Sequence, residues 1–291
     1  MEVVRQFSLF FCMTLMLLLP VKVQAQEGAL MLQLQKQATI RETIGQPKLN
    51  YPQSTKRFYQ ANGSQLIWIK KEDQAAHTFQ AMLLLDCVLQ YGLSHADYHR
   101  DILTYDKLQL MTKQPLKVSD EEKSAFDIML TDAIISLINN LHYGKFNPLI
   151  NQRKIDQGKV IHMRADQELA RLIKLNDLAG SIAKLQPQTK SYQDLQHYLR
   201  LVRGQYTGDC YEIPEAEARL AAINMERLRW VSSAKSMKKS VPAKYSYQTL
   251  EIKDGLPVTH NDRYQQDKAL EKALFGINSL AKTNNANDKK K

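Results

Sequence analysis

The chain is poor in the residues that punctuate and cross-link. It has eleven glycines, nine prolines and three cysteines in 291 residues. No Gly-rich phosphate loop, no Cys-x-x-Cys and no Gly-x-Ser-x-Gly occurs, which leaves nucleotide, thiol-redox and serine-hydrolase sites without their usual frames. No repeat of fixed period is present. Seven histidines are scattered; only His95 and His99 have metal-ligand spacing, with Asp97 between them and no His-Glu-x-x-His arrangement, so they read as a surface or half-buried pair. No metal and no cofactor is expected. Leucine, alanine, lysine and glutamine fill the space that glycine and proline leave, a composition that suits helices.

Long apolar runs are also missing, with one exception. "FSLFFCMTLMLLLP" follows Arg5 and precedes "VQA", the order of a secretory signal peptide with a cut between Ala25 and Gln26. The run is shorter than the ~20 residues a spanning helix needs, so cleavage is expected rather than an anchor. An exported, periplasmic chain has no nucleic-acid partner. Loss of Arg5, Lys22 and Glu2 with the peptide takes the net charge from +10 to +9. The excess is spread along the surface and into "NDKKK", and favours anionic polymer or headgroups only weakly. Cys87 and Cys210 remain. Export permits a disulfide between them, but Cys87 sits in the apolar run "MLLLDCVL" and reads as a buried thiol.

The expected organisation is mainly α: a signal peptide over 1–25, a flexible lead-in over 26–50, a helical domain over 51–231, a linker, β-hairpin and terminal helix over 232–283, and a disordered basic tail over 284–291. "YPQSTKRFYQANG" predicts a short helix with Pro52 near its start and Gly63 past its end. "SQLIWI" is an extended piece that buries Leu66 and Trp68 or Ile67 and Ile69. Phe79, Met82, Leu83 and Cys87 recur at helical spacing over 73–90, with Gly92 as the stop. "SHADYHRDILTYDKLQLM" restarts a helix with Ser94 as N-cap. The strongest pattern runs over 119–141. Ser119 and Glu122 form a capping box, and Phe126, Leu130, Ile134, Leu137, Ile138 and Leu141 hold one face for more than four turns, with Trp68 and Leu83 packed nearby. Further helices are expected at 165–184, 188–203 and from Pro214 through Trp230. "YSYQTLEIKDGLPVTH" turns at Asp254-Gly255, and a last helix spans about 262–282. Tyr91, Tyr98, Tyr105, Tyr143 and Tyr206 could line a glycan groove, although tyrosine at helical spacing is more often the edge of a core.

Four phrases in order, "FYQANGSQLIWI", "QYGLSHADYH", "DIMLTDAIISLINNLHYGKFNP" and "AAINMERLRWV", resemble the scaffold domain of the large multi-domain L,D-transpeptidases, which act on the periplasmic murein layer. The matching positions are Phe58, Tyr59, Gly63, Leu66 and Trp68; Gly92, Leu93, Asp97, Tyr98 and His99; Leu130 to Ala133, Gly144, Lys145 and Pro148; and Asn224 to Arg227, Arg229 and Trp230. In that family the last phrase is the helix that joins scaffold to catalytic domain. The resemblance implies that its tryptophan and arginines pack against and orient the next domain.

The departures carry as much weight. The family's catalytic cysteine sits in a Ser-His-Gly-Cys motif, whereas this chain has no His-Gly pair. Cys87 follows Asp86 and Cys210 follows Asp209, and a neighbouring carboxylate disfavours a thiolate. The stretch after Trp230 is too short for the catalytic fold, although "YSYQTLEIKDGLPV" looks like its first hairpin. The family's peptidoglycan-binding insertion is missing before the "NMERLRW" helix.

The expectation is a non-catalytic exported scaffold that associates with peptidoglycan or a cell-wall enzyme. A transferase or hydrolase with an unrecognised site, and a degenerate remnant, stay open as alternatives. The exposed side of 219–231 is expected to be the docking face, with Trp230 as anchor and Arg227 and Arg229 as donors to a partner's carboxylates.

Overall fold

The computed structural model describes residues 30, 32–33, 48–69, 75–160, 162–203, 215–260 and 268–275. The expected signal peptide, most of the expected lead-in, the expected basic tail, Pro214, Cys210, Tyr206 and the ends of the expected last helix lie outside these residues. In chain order the described helices are α1 (Pro52–Ala61), α2 (Ala75–Asp86), α3 (Tyr105–Lys113), α4 (Asp120–Tyr143), α5 (Gln152–Asp156), α6 (Ala165–Leu172), α7 (Leu178–Ala183), α8 (Lys190–Arg203), α9 (Glu215–Ser236), α10 (Ala243–Ser246) and α11 (Lys268–Phe275). Two strands, β1 (Leu250–Lys253) and β2 (Leu256–Thr259), pair antiparallel with Lys253 opposite Leu256. The architecture is mainly α.

The capping box opens α4 as its sequence predicts: Ser119 Oγ accepts from Glu122 N, and Glu122 accepts from Ser119 N at 3.0 Å. From Phe126 to Leu141 the helix is buried on every side, with Ile134, Leu137 and Ile138 fully covered. It is the spine on which α1, α2, α6 and α9 pack. At ~1.5–3 kcal/mol for each buried aliphatic or aromatic side chain, this one helix anchors the larger apolar cluster. A smaller cluster lies between α8, α9 and β1, built on Tyr192, Leu195, Ala221 and Leu250. The hairpin turns at Asp254 and Gly255, both at positive φ (52° and 80°), which the two central residues of a type I′ turn require.

Several expectations need correction. Leu83 is not packed beside α4: it and Phe79 face outward, and the buried residues of α2 are Thr78, Ala81, Met82, Leu84 and Leu85. The run "MLLLDCVL" has three consecutive leucines, so spacing alone does not select a face. Of the two options for "SQLIWI", the structure buries Leu66 and Trp68. The helix expected from Ser94 to Met111 is two elements. Ser94 caps a single 3₁₀ turn, His95–Asp97; His99 then takes φ 52°, which breaks the path before Thr104 caps α3. The helix expected at 165–184 also divides, because Asp177 accepts from Gly180 N and starts α7 afresh. A helix that the sequence pattern did not announce, α5, forms inside "LINQRKIDQGKVIHM" behind Asn151, whose side chain accepts from Arg153 N.

Candidate functional site

The fourth family-like phrase lies on α9, and Gly92 and Gly144 of the second and third phrases pack against it. Glu226 occupies the centre, fully buried. Its Oε1 accepts from Phe146 N at 2.7 Å and from Trp230 Nε1 at 2.9 Å, and its Oε2 pairs with Arg229 Nη1 at 3.2 Å. Arg229 is fully buried too. It donates from Nη2 to Tyr91 O and Tyr192 Oη, and from Nε to Tyr192 Oη at 3.0 Å. Burial alone would lower the Arg229 pKa, but Tyr192 and Glu226 outweigh it and hold the guanidinium firmly charged. Arg227 donates to Tyr247 Oη at 2.7 Å, with its guanidinium 4.0 Å over the tyrosine ring. Asn224 and Thr249 exchange two hydrogen bonds. Trp230 is 4% exposed, edge-on to Tyr245 at 5.8 Å.

The expected docking face is therefore corrected. Arg227, Arg229 and Trp230 are buried, and the segment from α10 to the start of β1 is what covers Arg227 and Trp230. The reason is local. Glu226 precedes Arg229 by three residues and Trp230 by four, so one carboxylate meets both on the same helix face. Gly144, at the end of α4, makes room for them. At φ 84° it favours glycine, and a Cβ there would lie 2.7 Å from both Glu226 Oε1 and the Trp230 ring. Gly92 does the same on the other side, where a Cβ would reach Ala222 at 2.7 Å.

A second set of buried carboxylates ties the first helix and its flanks to the spine. Asp127 accepts from the backbone N–H of Ile67, Trp68 and Ile69 at 2.7–3.1 Å, and from Tyr59 Oη at 2.5 Å. Asp132 accepts from Asn50 N and Tyr51 N at 2.8 Å, from Thr55 Oγ1 and from His99 Nε2 at 2.7 Å. Asp156 accepts from Gln53 N and Ser54 N, and so caps α1, whose own N-cap residue makes no side-chain cap. Asp166 pairs with Arg57 and Arg164. Burial raises the carboxyl pKa of Asp127 and Asp156. At Asp166 burial pushes the same way, but the hydrogen bonds and charges of Arg164 and Arg57 hold it below the ordinary range. Buried carboxylates with shifted pKa values are where acid–base chemistry is sought. Here their oxygens are committed to backbone donors and ion pairs, which fixes chain segments and leaves little room for proton transfer.

The remaining candidates separate. His95 turns to Asp86 O at 2.9 Å and His99 to Asp132, so the pair does not converge. Among the described residues no group of three or more His, Cys, Asp or Glu is placed to hold a metal ion. Cys87 is half-buried; burial and then the Asp86 charge push its thiol up, with Arg200 opposing. Tyr91, Tyr98 and Tyr143 are buried, and the Tyr105 hydroxyl donates to Asp86. Asp127, Asp156 and Asp166 were not among the residues expected to matter, and Glu226 entered only as a position of the fourth family-like phrase. A signal existed for the first: Asp127, Thr131 and Asp132 interrupt an otherwise apolar run, and a carboxylate inside a buried helix must find donors.

A family model described as "Scaffold domain" covers residues 53–199. No curated protein and no solved structure matches the chain.

Proposed function

The chain belongs to the scaffold-domain family of the L,D-transpeptidase type over residues 53–199, and from that premise we propose that it is a non-catalytic, exported protein of the cell envelope that associates with peptidoglycan or with a cell-wall enzyme. The observation that carries the non-catalytic part is the commitment of the family-like residues. Asp132, Glu226, Arg229 and Trp230 are all buried in contacts that hold one segment to another. A scaffold domain is non-catalytic in family terms, and the raised thiol pKa at Cys87 is the reverse of what nucleophilic catalysis asks of a cysteine. Export rests on the apolar run behind Arg5 and the "VQA" after it. No helix among the described residues is long and apolar enough to cross a membrane.

The test uses the purified protein in two assays. Incubation with disaccharide-tetrapeptide is expected to give no cross-linked product, and sedimentation with isolated peptidoglycan or capture of a cell-wall enzyme is expected to retain the chain. Cross-linked product, or a carbapenem adduct on Cys87 or Cys210 that requires the native fold, would overturn the non-catalytic reading. Failure to sediment together with failure to capture any envelope protein would overturn the association.

A further inference from the structure

A cleft of about 820 Å³ opens where α9 ends beside the loops that flank α5. Its walls carry four lysines: Lys154 and Lys159 from one side, Lys238 and Lys239 from the other, with His162 at the rim. All four lysines are exposed, and no aspartate or glutamate lines the cleft. None of the four makes an ion pair among the described residues, whereas Lys190 of α8 and Lys253 of the hairpin each reach a carboxylate. Like charges gathered in one concavity repel each other and focus a positive potential there, which an anion relieves. The backbone contributes a second observation. Lys238 takes φ 54°, a conformation that L side chains other than Asn and Asp rarely adopt, and Lys239 N closes the turn onto Ala234 O at 2.9 Å. A helix end of this shape usually carries glycine; here it carries a lysine that lines the cleft.

The wall composition narrows the ligand. Guanidinium forks match planar carboxylates two oxygens at a time, whereas ammonium groups act as point charges and serve a tetrahedral, multiply charged phosphate without a fixed fork. This cleft has lysines and no arginine. Leu149, Val160 and Met237 give it an apolar side as well, and the volume lies within the ~300–1,000 Å³ of ordinary small-molecule sites. His162 is held in place from behind: its Nδ1 meets His142 Nε2 at 3.3 Å, with the two rings stacked at 5.4 Å. We propose that the cleft between Lys154 and Lys159 on one side and Lys238 and Lys239 on the other binds a phosphate-bearing ligand with an apolar portion. The chemistry is common to a lipid phosphate headgroup and to a soluble organic phosphate. The site is independent of any association with peptidoglycan, since a phosphate probe reads it either way.

The full chain is titrated with inorganic pyrophosphate by calorimetry, with citrate as a carboxylate comparator, and sedimented with vesicles of phosphatidylglycerol or of phosphatidylcholine alone. Lys238→Gln with Lys239→Gln is compared with Lys113→Gln plus Lys117→Gln, which removes the same charge from an exposed surface elsewhere. The expected result is pyrophosphate binding that weakens with added salt, falls at least tenfold in the cleft variant and stays within twofold in the other. Retention on phosphatidylglycerol vesicles with the same pattern assigns a lipid source; pyrophosphate binding without vesicle retention assigns a soluble one. No pyrophosphate binding, citrate bound as tightly as pyrophosphate, or equal loss in both variants overturns the proposal.

Discussion

Asp127 offers the sharpest test of how the domain is held together. Its two oxygens serve three backbone N–H groups and the Tyr59 hydroxyl, and the side chain is fully buried. Replacing it by alanine leaves those donors behind. The Trp68 N–H is buried and loses its partner outright, which costs ~1–3 kcal/mol; those of Ile67 and Ile69 are half-buried and cost less, and Tyr59 can still turn to Thr131. The sum is about 3–5 kcal/mol, at ~2–4 °C of melting temperature per kcal/mol for a chain of this order. Asparagine should behave differently. Its carbonyl can take the place of Oδ2 before the three N–H groups, while its amide donates to the Tyr59 oxygen. Asp127→Asn therefore loses charge assistance but no partner, and should cost about 1–2 kcal/mol. Urea unfolding of the two variants and the parent decides the matter. If alanine costs under ~1 kcal/mol, or asparagine costs as much as alanine, the stapling argument is wrong.

Three further outcomes are expected. Gly144→Ala forces a Cβ against Glu226 and Trp230 at an unfavourable φ and should cost roughly 2–5 kcal/mol in the same assay, whereas alanine at Gly63, which has open space around it, should cost only its backbone strain of ~1–2 kcal/mol. Burial holds the His142 imidazole below the ordinary histidine value of 6.5, so the unfolded chain takes up a proton before the folded one does; this contribution is full above about pH 6.5 and is lost as the pH falls towards the folded value. His142→Gln should flatten the loss of stability on acidification, and an unchanged slope would show that another group controls it. Cys87 should alkylate several-fold more slowly than a free thiol at neutral pH until the protein is unfolded, with peptide mapping to separate it from Cys210; native-state labelling at the free-thiol rate would contradict the raised pKa.

Local signals were legible in the sequence and long-range ones were not. The capping box at Ser119 and Glu122 and the turn at Asp254-Gly255 are decided within a few residues, and both form as expected. The burial of Phe126, Leu130, Ile134, Leu137, Ile138 and Leu141 follows from spacing because that run is long, but spacing did not show that the rest of the helix from Phe126 to Leu141 is buried as well. The face of α2 does not follow from spacing, since three consecutive leucines satisfy any rotation. The exposure expected of α9 failed for a related reason. Arginine and tryptophan on a helix signal a binding surface when they are exposed, but exposure depends on what folds over them, here Tyr245 and Tyr247. Asp156 escaped notice because its donors are backbone groups of a distant segment, and Asp166 because one of its arginines, Arg57, lies 109 residues away, pairings that no local residue pattern displays.

Those carboxylates also set an order of events during synthesis. Residues 48–69 leave the ribosome early, yet their partners come 60 residues later at Asp127 and up to 109 residues later at Asp166. Until then the Trp68 N–H and the first turn of α1 lack their carboxylate partners, and a loop of that length must be drawn in against its own entropy. This opening segment of the domain is thus the part most exposed to proteases and to other nascent chains, and a chaperone that holds it open until Asp166 emerges would cost the protein no native contact.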